Sequence, residues 1–226
     1  MMIFGFAANS QVLISILLGD KLNTGKIEFG LDGGINWSDI HGLPEANSLP
    51  GFNLGFYFDI KLKHPNLMIN TGVIVKSPLG AKGLPAYPLN NSYLDSAFAG
   101  GSVTRKLRYF NVPVMMKYKL KNNFYVKAGI QLGLRANAFD EFTNKIVDEK
   151  DLKYKLEIKD QFHPLDAGLA FGLGYRITGG YGMNIGLQYY LGLVDVVIDD
   201  ASPNQYNRSL YLTVGLPIGK SGKKTK

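Results

Sequence analysis

The chain lacks cysteine altogether: 226 residues contain none, so disulfide scaffolds, thiol nucleophiles and Cys-based zinc sites are excluded. It is also short of continuous apolar runs. No stretch approaches the roughly 18 consecutive apolar residues that a membrane-spanning helix needs, which removes helical membrane proteins from consideration. Histidine occurs three times and tryptophan once, while charged residues make up only 19% of the chain. The net charge of +7 owes four of its units to Lys220, Lys223, Lys224 and Lys226 at the C-terminus. The remainder is weakly basic and has no basic stripe interleaved with aromatics, so no nucleic-acid partner is expected. Glycine is plentiful, at 27 residues, but shows no Gly-X-Y period.

What the sequence does have is alternation. Apolar residues recur at every second position and the pattern restarts after each turn signal, the signature of half-buried strands. Eight windows show it: Ile27–Trp37, Phe52–Leu62, Leu67–Val75, Phe110–Leu120, Phe124–Ala136, Leu165–Ile177, Met183–Leu193 and Leu210–Ile218. One face of these windows has 48 positions, 46 of them apolar, with Gly33 and Thr71 the exceptions. The other face carries all ten charged residues, Glu28, Asp32, Asp59, Lys61, Lys117, Lys119, Lys127, Arg135, Asp166 and Arg176, together with 12 of the 13 glycines in the windows. The third window is the weakest, because Met68 and Ile74 fall on its polar side.

Volume decides which face points inward. The interior of an eight-stranded barrel is only just wide enough to be filled by side chains, and 46 mostly large apolar groups would overfill it. Glycines beside long charged side chains fit a narrow lumen, so the apolar face is expected outside, against lipid. The connections agree. Lys63–Asn66, Lys121–Asn123 and Thr178–Gly180 are tight polar turns, whereas the connections 38–51, 76–109, 137–164 and 194–209 are long. Short turns at one end and long loops at the other match an outer-membrane barrel, with the short turns and both termini periplasmic. The fold class expected is thus all-β: an eight-stranded antiparallel up-and-down transmembrane β-barrel whose last strand pairs with its first. Its parts are a signal-peptide remnant over 1–10, a pre-barrel periplasmic segment over 11–25, the barrel over 26–220 and a basic periplasmic tail over 221–226. The remnant is read from the Ala8-x-Ser10 small-residue pattern; an ordinary buried N-terminal segment is the other reading.

Three segments carry a family resemblance: Arg108-Tyr-Phe-Asn-Val-Pro-Val-Met-Met-Lys-Tyr118, Phe124-Tyr-Val-Lys-Ala-Gly-Ile-Gln-Leu-Gly133 and Asp166-Ala-Gly-Leu-Ala-Phe-Gly-Leu-Gly-Tyr175. With a proline in the fourth strand and an aromatic-x-x-x-Ala-Gly fifth strand, the chain resembles the PorT-like outer-membrane β-barrel proteins of Bacteroidetes-type bacteria. The resemblance implies an integral outer-membrane protein of a Gram-negative bacterium. Some members serve type IX protein secretion, and the family has no catalytic motif to carry over. The tail Gly219–Lys226 departs from the aromatic residue on which such barrels usually end.

The candidate sites are weighed on this frame. The ten charges are expected to form an ion-paired lumenal filling, since unpaired charges in a narrow interior are costly; a proton or solute path through a narrow pore is the other reading. Trp37, Phe110, Tyr118, Tyr175 and Tyr189 lie on the lipid face and fit interfacial aromatic girdles. Pro113 removes a ladder donor and is expected to mark a bulge or local irregularity. His41 and His163 fall at the long-loop end, where with Ser38, Asp39 or Asp166 they would suit a lipid-modifying hydrolase or acyltransferase; no nucleophile elbow supports that reading. Asp195, Asp199 and Asp200 lack calcium-loop spacing, and Gly172-Leu-Gly174 lacks the context of a dinucleotide site. No cofactor and no enzymatic activity are expected. The partners expected are outer-membrane lipid and lipopolysaccharide and a protein of an envelope or secretion complex. Three segments are expected at the barrel ends: Ser77–Thr104 to fold over the mouth or bind a protein, Asn144–Lys159 to be a solvated loop or to extend a hairpin above the membrane whose edge could recruit a partner by strand addition, and Gln11–Thr24 to plug the periplasmic opening or contact a periplasmic component.

Overall fold

The computed structural model describes residues 24–145, 152–178, 182–200 and 203–218. The expectations for the signal remnant, nearly all of the pre-barrel plug and the basic tail fall outside these residues.

Among the described residues, ten strands form one antiparallel sheet: β1 (Ile27–His41), β2 (Asn47–Lys61), β3 (Leu67–Lys76), β4 (Pro78–Pro85), β5 (Ser102–Lys119), β6 (Phe124–Asn144), β7 (Leu152–Glu157), β8 (Leu165–Arg176), β9 (Asn184–Gly192) and β10 (Tyr206–Pro217). Eight of them close a ring in the order β1–β2–β3–β5–β6–β8–β9–β10, and β10 returns to β1 from Gly30↔Pro217 to His41↔Tyr206. Each of the eight coincides with one window read from the sequence: three windows lie wholly within their strands and five overrun their strands by one residue at one or both ends. Closure leaves the ring without a free edge, so its backbone groups bond within the wall.

The outward face is the apolar one. Leu165, Leu173 and Leu134 are 62%, 56% and 54% exposed, whereas no alternating charge reaches that surface in the eight windows. An apolar belt of this extent has no aqueous solution other than a partner or lipid. Phe29 also faces outward yet is buried, and the rings of Phe56 and Phe58 pack against it at 6.2 and 5.0 Å. Inside, glycines make room for large neighbours. A Cβ on Gly30 would collide with the Tyr57 ring, and one on Gly174 with the Tyr125 hydroxyl.

The tight turns sit at one end. Between β5 and β6 the reversal is made by Asn122 and Asn123, whose φ angles of 57° and 65° lie in the left-handed region that asparagine tolerates better than most residues.

At the opposite end the structure corrects the expected loops. Connections 76–109 and 137–164 contain β4, β7 and the long ends of β5 and β6, so a four-stranded extension β4–β5–β6–β7 stands on the barrel rim. Its pattern runs the other way round: Val103, Leu107, Ala138 and Phe142 are buried inside, and Lys106, Glu141, Lys153 and Lys155 point out. This is the ordinary pattern of a wall facing water. The switch coincides with register shifts at Arg108/Tyr109 and between Ala81 and Leu84. Pro113, expected at a bulge, keeps its register with Gln131 on β6; on the other side the ladder to β3 skips from Thr71↔Val114 to Ile74↔Asn111, leaving a gap where proline has no N–H to give.

Candidate functional site

Three regions carry polar chemistry: the lumen, the cap above it and the outer rim between cap and belt. Lumenal side chains come from inward positions of the ring, fixed by the two-residue period and by register. Lys117 and Asp59 meet across β3, Nζ to Oδ2 at 2.5 Å, with the same carboxylate accepting from Asn70 Nδ2 at 2.7 Å. Lys127 Nζ reaches Asn70 Oδ1 at 3.4 Å, and Lys117 also lies over the Tyr125 ring at 4.2 Å. Nearer the tight turns, Arg176 grips Glu28 through two bonds of 3.0 and 2.9 Å. Tyr57 donates to Glu28 and accepts from Asn184.

Among the described residues, two ion pairs thus join four of the ten predicted lumenal charges. Asp166 is held instead by Asn207 Nδ2 at 2.8 Å. Arg135 donates to the Lys159 carbonyl at the rim. Lys61 is exposed and Lys119 half-buried, and both line a cavity of about 300 Å³ that opens between the tight turns. Asp32 and Lys127 border a void of about 20 Å³ at mid-height, room for roughly one water. Most of the filling is uncharged: Asn53, Asn70, Asn111, Gln131, Gln188 and the tyrosines Tyr57, Tyr125, Tyr190 and Tyr211. These residues were not singled out from sequence, although each stands on a charged face where its amide or phenol could have been noted.

Above the lumen, the long connections interlock. His163 N donates to the Val196 carbonyl and Ile198 N to the Gln161 carbonyl, while Phe162 bridges to Val197. Phe162, Val196, Ile158, Leu79, Leu107 and Tyr109 then pack into a buried apolar lid over the lumen. Higher still, α1 (Ser92–Ala97), capped by Asn91, lays Phe98 against Phe142 at 5.9 Å. Asp140 is buried inside this cap, where Arg105 holds both oxygens at 2.9 and 2.7 Å and Tyr87 donates at 2.9 Å. Burial, with the Asp140 carboxylate beside it, raises the Tyr87 phenol above its ordinary pKa.

Of the rim residues considered for lipid chemistry, Asp39 and His41 share the outward face of β1, near enough to interact electrostatically, while Ser38 lies on its other face. Ser38 points inward, buried, and donates to the Leu49 and Gly80 carbonyls; His41, three residues on, is exposed at the end of β1. Asp195 accepts from the Val197 and Gln205 amides, tying its own loop. No group of three acidic or histidine residues able to hold a metal is found among the described residues. Gly172 and Gly174 sit in β8 against Lys127 and Tyr125. Of the aromatics, Trp37 and Phe110 lie toward the cap, Tyr118 and Tyr175 toward the tight turns, and Tyr189 in the middle of β9. Tyr175 packs edge-on against Phe124 at 5.0 Å.

A family model described as "outer membrane protein beta-barrel domain" matches residues 9–197. Among solved structures, the chain is similar to the attachment invasion locus protein Ail of Yersinia pestis, at 10% identity over 85% of this chain and 99% of that one, with a TM-score of 0.42. It is also similar to neisserial surface protein A, at 12% identity over 83% and 96% of the two chains, with a TM-score of 0.46. No match was found among curated proteins.

Proposed function

We propose that this chain, which belongs to the outer membrane protein β-barrel domain family, works as a structural and interaction protein of the Gram-negative outer membrane, presenting its cap to the outside. The observation that carries this reading is the filled lumen. At mid-height Lys117, Asp59, Asn70 and Lys127 form one bonded set and Gln188 donates to Gln131, around a void of about 20 Å³, and an apolar lid covers it. Conduction through such an interior would require breaking the Lys117–Asp59–Asn70 set and displacing Phe162. A Ser38–His41 nucleophile–base pair is disfavoured, because the two lie on opposite faces of one strand.

The orientation in this proposal follows the connections. The tight turns share an end with the start of β1 and the finish of β10, which supports a periplasmic position for both ends of the barrel. Placement in the PorT-like group, and with it an accessory role in a type IX-like secretion complex or another envelope complex, rests on the Arg108–Tyr118, Phe124–Gly133 and Asp166–Tyr175 segments. The surface offered to such a protein partner is the cap, where Tyr93 on α1 is 80% exposed.

A chain without cysteine makes the test direct. Tyr93→Cys is expected to react with a membrane-impermeant maleimide on intact cells, and the same position fitted with a photo-crosslinker is expected to yield one discrete adduct that persists through mild-detergent purification. Labelling only after lysis would overturn the orientation. Labelling without a discrete adduct would overturn the interaction role.

A further inference from the structure

Where the cap meets the apolar belt, the outer wall carries a cleft of about 790 Å³. It exists because β2 leaves β3 at Leu54↔Lys76 and does not meet β4 until Ser48↔Ala81, so the wall between them is not laddered. The floor is apolar, formed by Pro50, Val75 and Phe110, and the rim on the cap side carries Lys76, Lys106 and Arg108. Beside it on the same outward face, Phe139 is only 3% exposed because cations cover it: Lys155 Nζ is 3.8 Å from the ring centroid, Arg108 5.1 Å and Lys106 5.9 Å. Among the described residues of β5, β6 and β7, the acidic groups on this face are Glu141, paired with Lys106 at 3.0 Å, and Glu157. Among the described residues cations outnumber acids, Lys76, Lys106, Arg108, Lys153 and Lys155 against those two.

Charge and position together define an occupant. The cleft lies at the height where the outward face changes from Phe110 and Leu134 to Arg108 and Lys106, which is the level of headgroups in a bilayer that wets the belt. Apolar surface below and cations above suit an amphiphile whose anionic head is joined directly to acyl chains. We propose that this cleft binds a phosphorylated lipid of the outer leaflet, its phosphate held by Arg108, Lys76 and Lys106 and the first carbons of an acyl chain laid against Phe110 and Val75. Arg108 supplies the forked geometry that matches phosphate oxygens, and the lysines supply charge. The assignment rests on the orientation argued above, since the cap must face the leaflet that carries such lipids.

The full chain in detergent micelles, incubated with a bis-phosphorylated lipid A and examined by native mass spectrometry, is expected to retain it in preference to the dephosphorylated form. Lys76→Gln, Lys106→Gln and Arg108→Gln are each expected to weaken retention roughly fivefold, while Lys63→Gln at the tight-turn end leaves it unchanged. A single-residue change that merely unfolds the barrel is recognised by loss of its heat-shifted gel mobility, and the wild-type comparison of the two lipids then decides. Equal retention of both lipids, equal retention by the folded triple variant, or displacement by inorganic phosphate at the lipid's own concentration would each overturn the proposal. These readings are made on purified protein, so they fail independently of the maleimide test on cells.

Discussion

Lys117 and Asp59 are 58 positions apart in sequence and 2.5 Å apart in the lumen, with side chains only 7% and 2% exposed. Neither could remain charged alone in that position without a large desolvation cost. Asp59→Asn is therefore expected to destabilise the barrel by about 3–5 kcal/mol, because it strands the Lys117 ammonium. Lys117→Met added to Asp59→Asn is expected to restore most of the loss by removing the stranded charge. Urea unfolding in micelles, followed by fluorescence of the single Trp37, measures both. Equal destabilisation by the single and double variants would show that the pair matters for shape and not for charge.

The outward face should tolerate charge only where it is not in lipid. Ile130 is 48% exposed in the middle of the belt, and Ile130→Arg is expected to cost about 2–4 kcal/mol. Thr104 points outward in the cap beside Glu141, and Thr104→Lys is expected to change stability by no more than about 0.5 kcal/mol. The same unfolding assay compares them. Similar costs at the two sites would mean that the reversal of pattern at Arg108 does not mark the edge of the membrane.

Glycine positions in the lumen set the size of their neighbours. A Cβ on Gly186 would lie 2.7 Å from the Tyr125 hydroxyl, too close for any contact. Gly186→Ala is expected to destabilise by about 1–3 kcal/mol, and Tyr125→Phe to relieve most of that in the double variant. A double-mutant cycle on refolded protein reads the coupling; additive effects would place the clash elsewhere.

How far the sequence could be read followed from what each face touches. Within the belt, lipid outside and polar filling inside impose opposite chemistry on alternate residues, so all eight ring strands stood out. Above the belt both the outside and the rules change. Phe110 looked like the beginning of a strand because outward apolar residues begin there, while the strand itself starts at Ser102, with Val103, Leu107 and Tyr109 turned inward. β4 was hidden for the same reason, whereas the alternation within Asn144–Lys159 pointed to the hairpin that β7 makes with β6. Charges on the lumenal face were legible as a set, but their partners were not: Lys117 reaches Asp59 only through the register of β2 on β3 and β3 on β5. That three cations converge on Phe139 likewise depends on pairing among β5, β6 and β7.

The cap should loosen without the barrel. Asp140 is wholly buried, and its two oxygens depend on Arg105 and Tyr87 from different segments, so this one carboxylate ties β5, β6 and the connection after β4 together. Arg105 also lies over the Phe162 ring at 5.3 Å, linking the cap to the lid. Arg105→Gln leaves the carboxylate without its cation, whereas Tyr87→Phe removes one bond and keeps the ion pair. The first is expected to expose the segment between β4 and β5 to protease at concentrations that leave the parent intact, with the second giving a much smaller change. Ring strands are closed below Arg108 by ladders that do not involve Asp140, so the heat-shifted gel mobility of the barrel should persist in both variants. Loss of that mobility with Arg105→Gln would show that cap and barrel unfold as one cooperative unit.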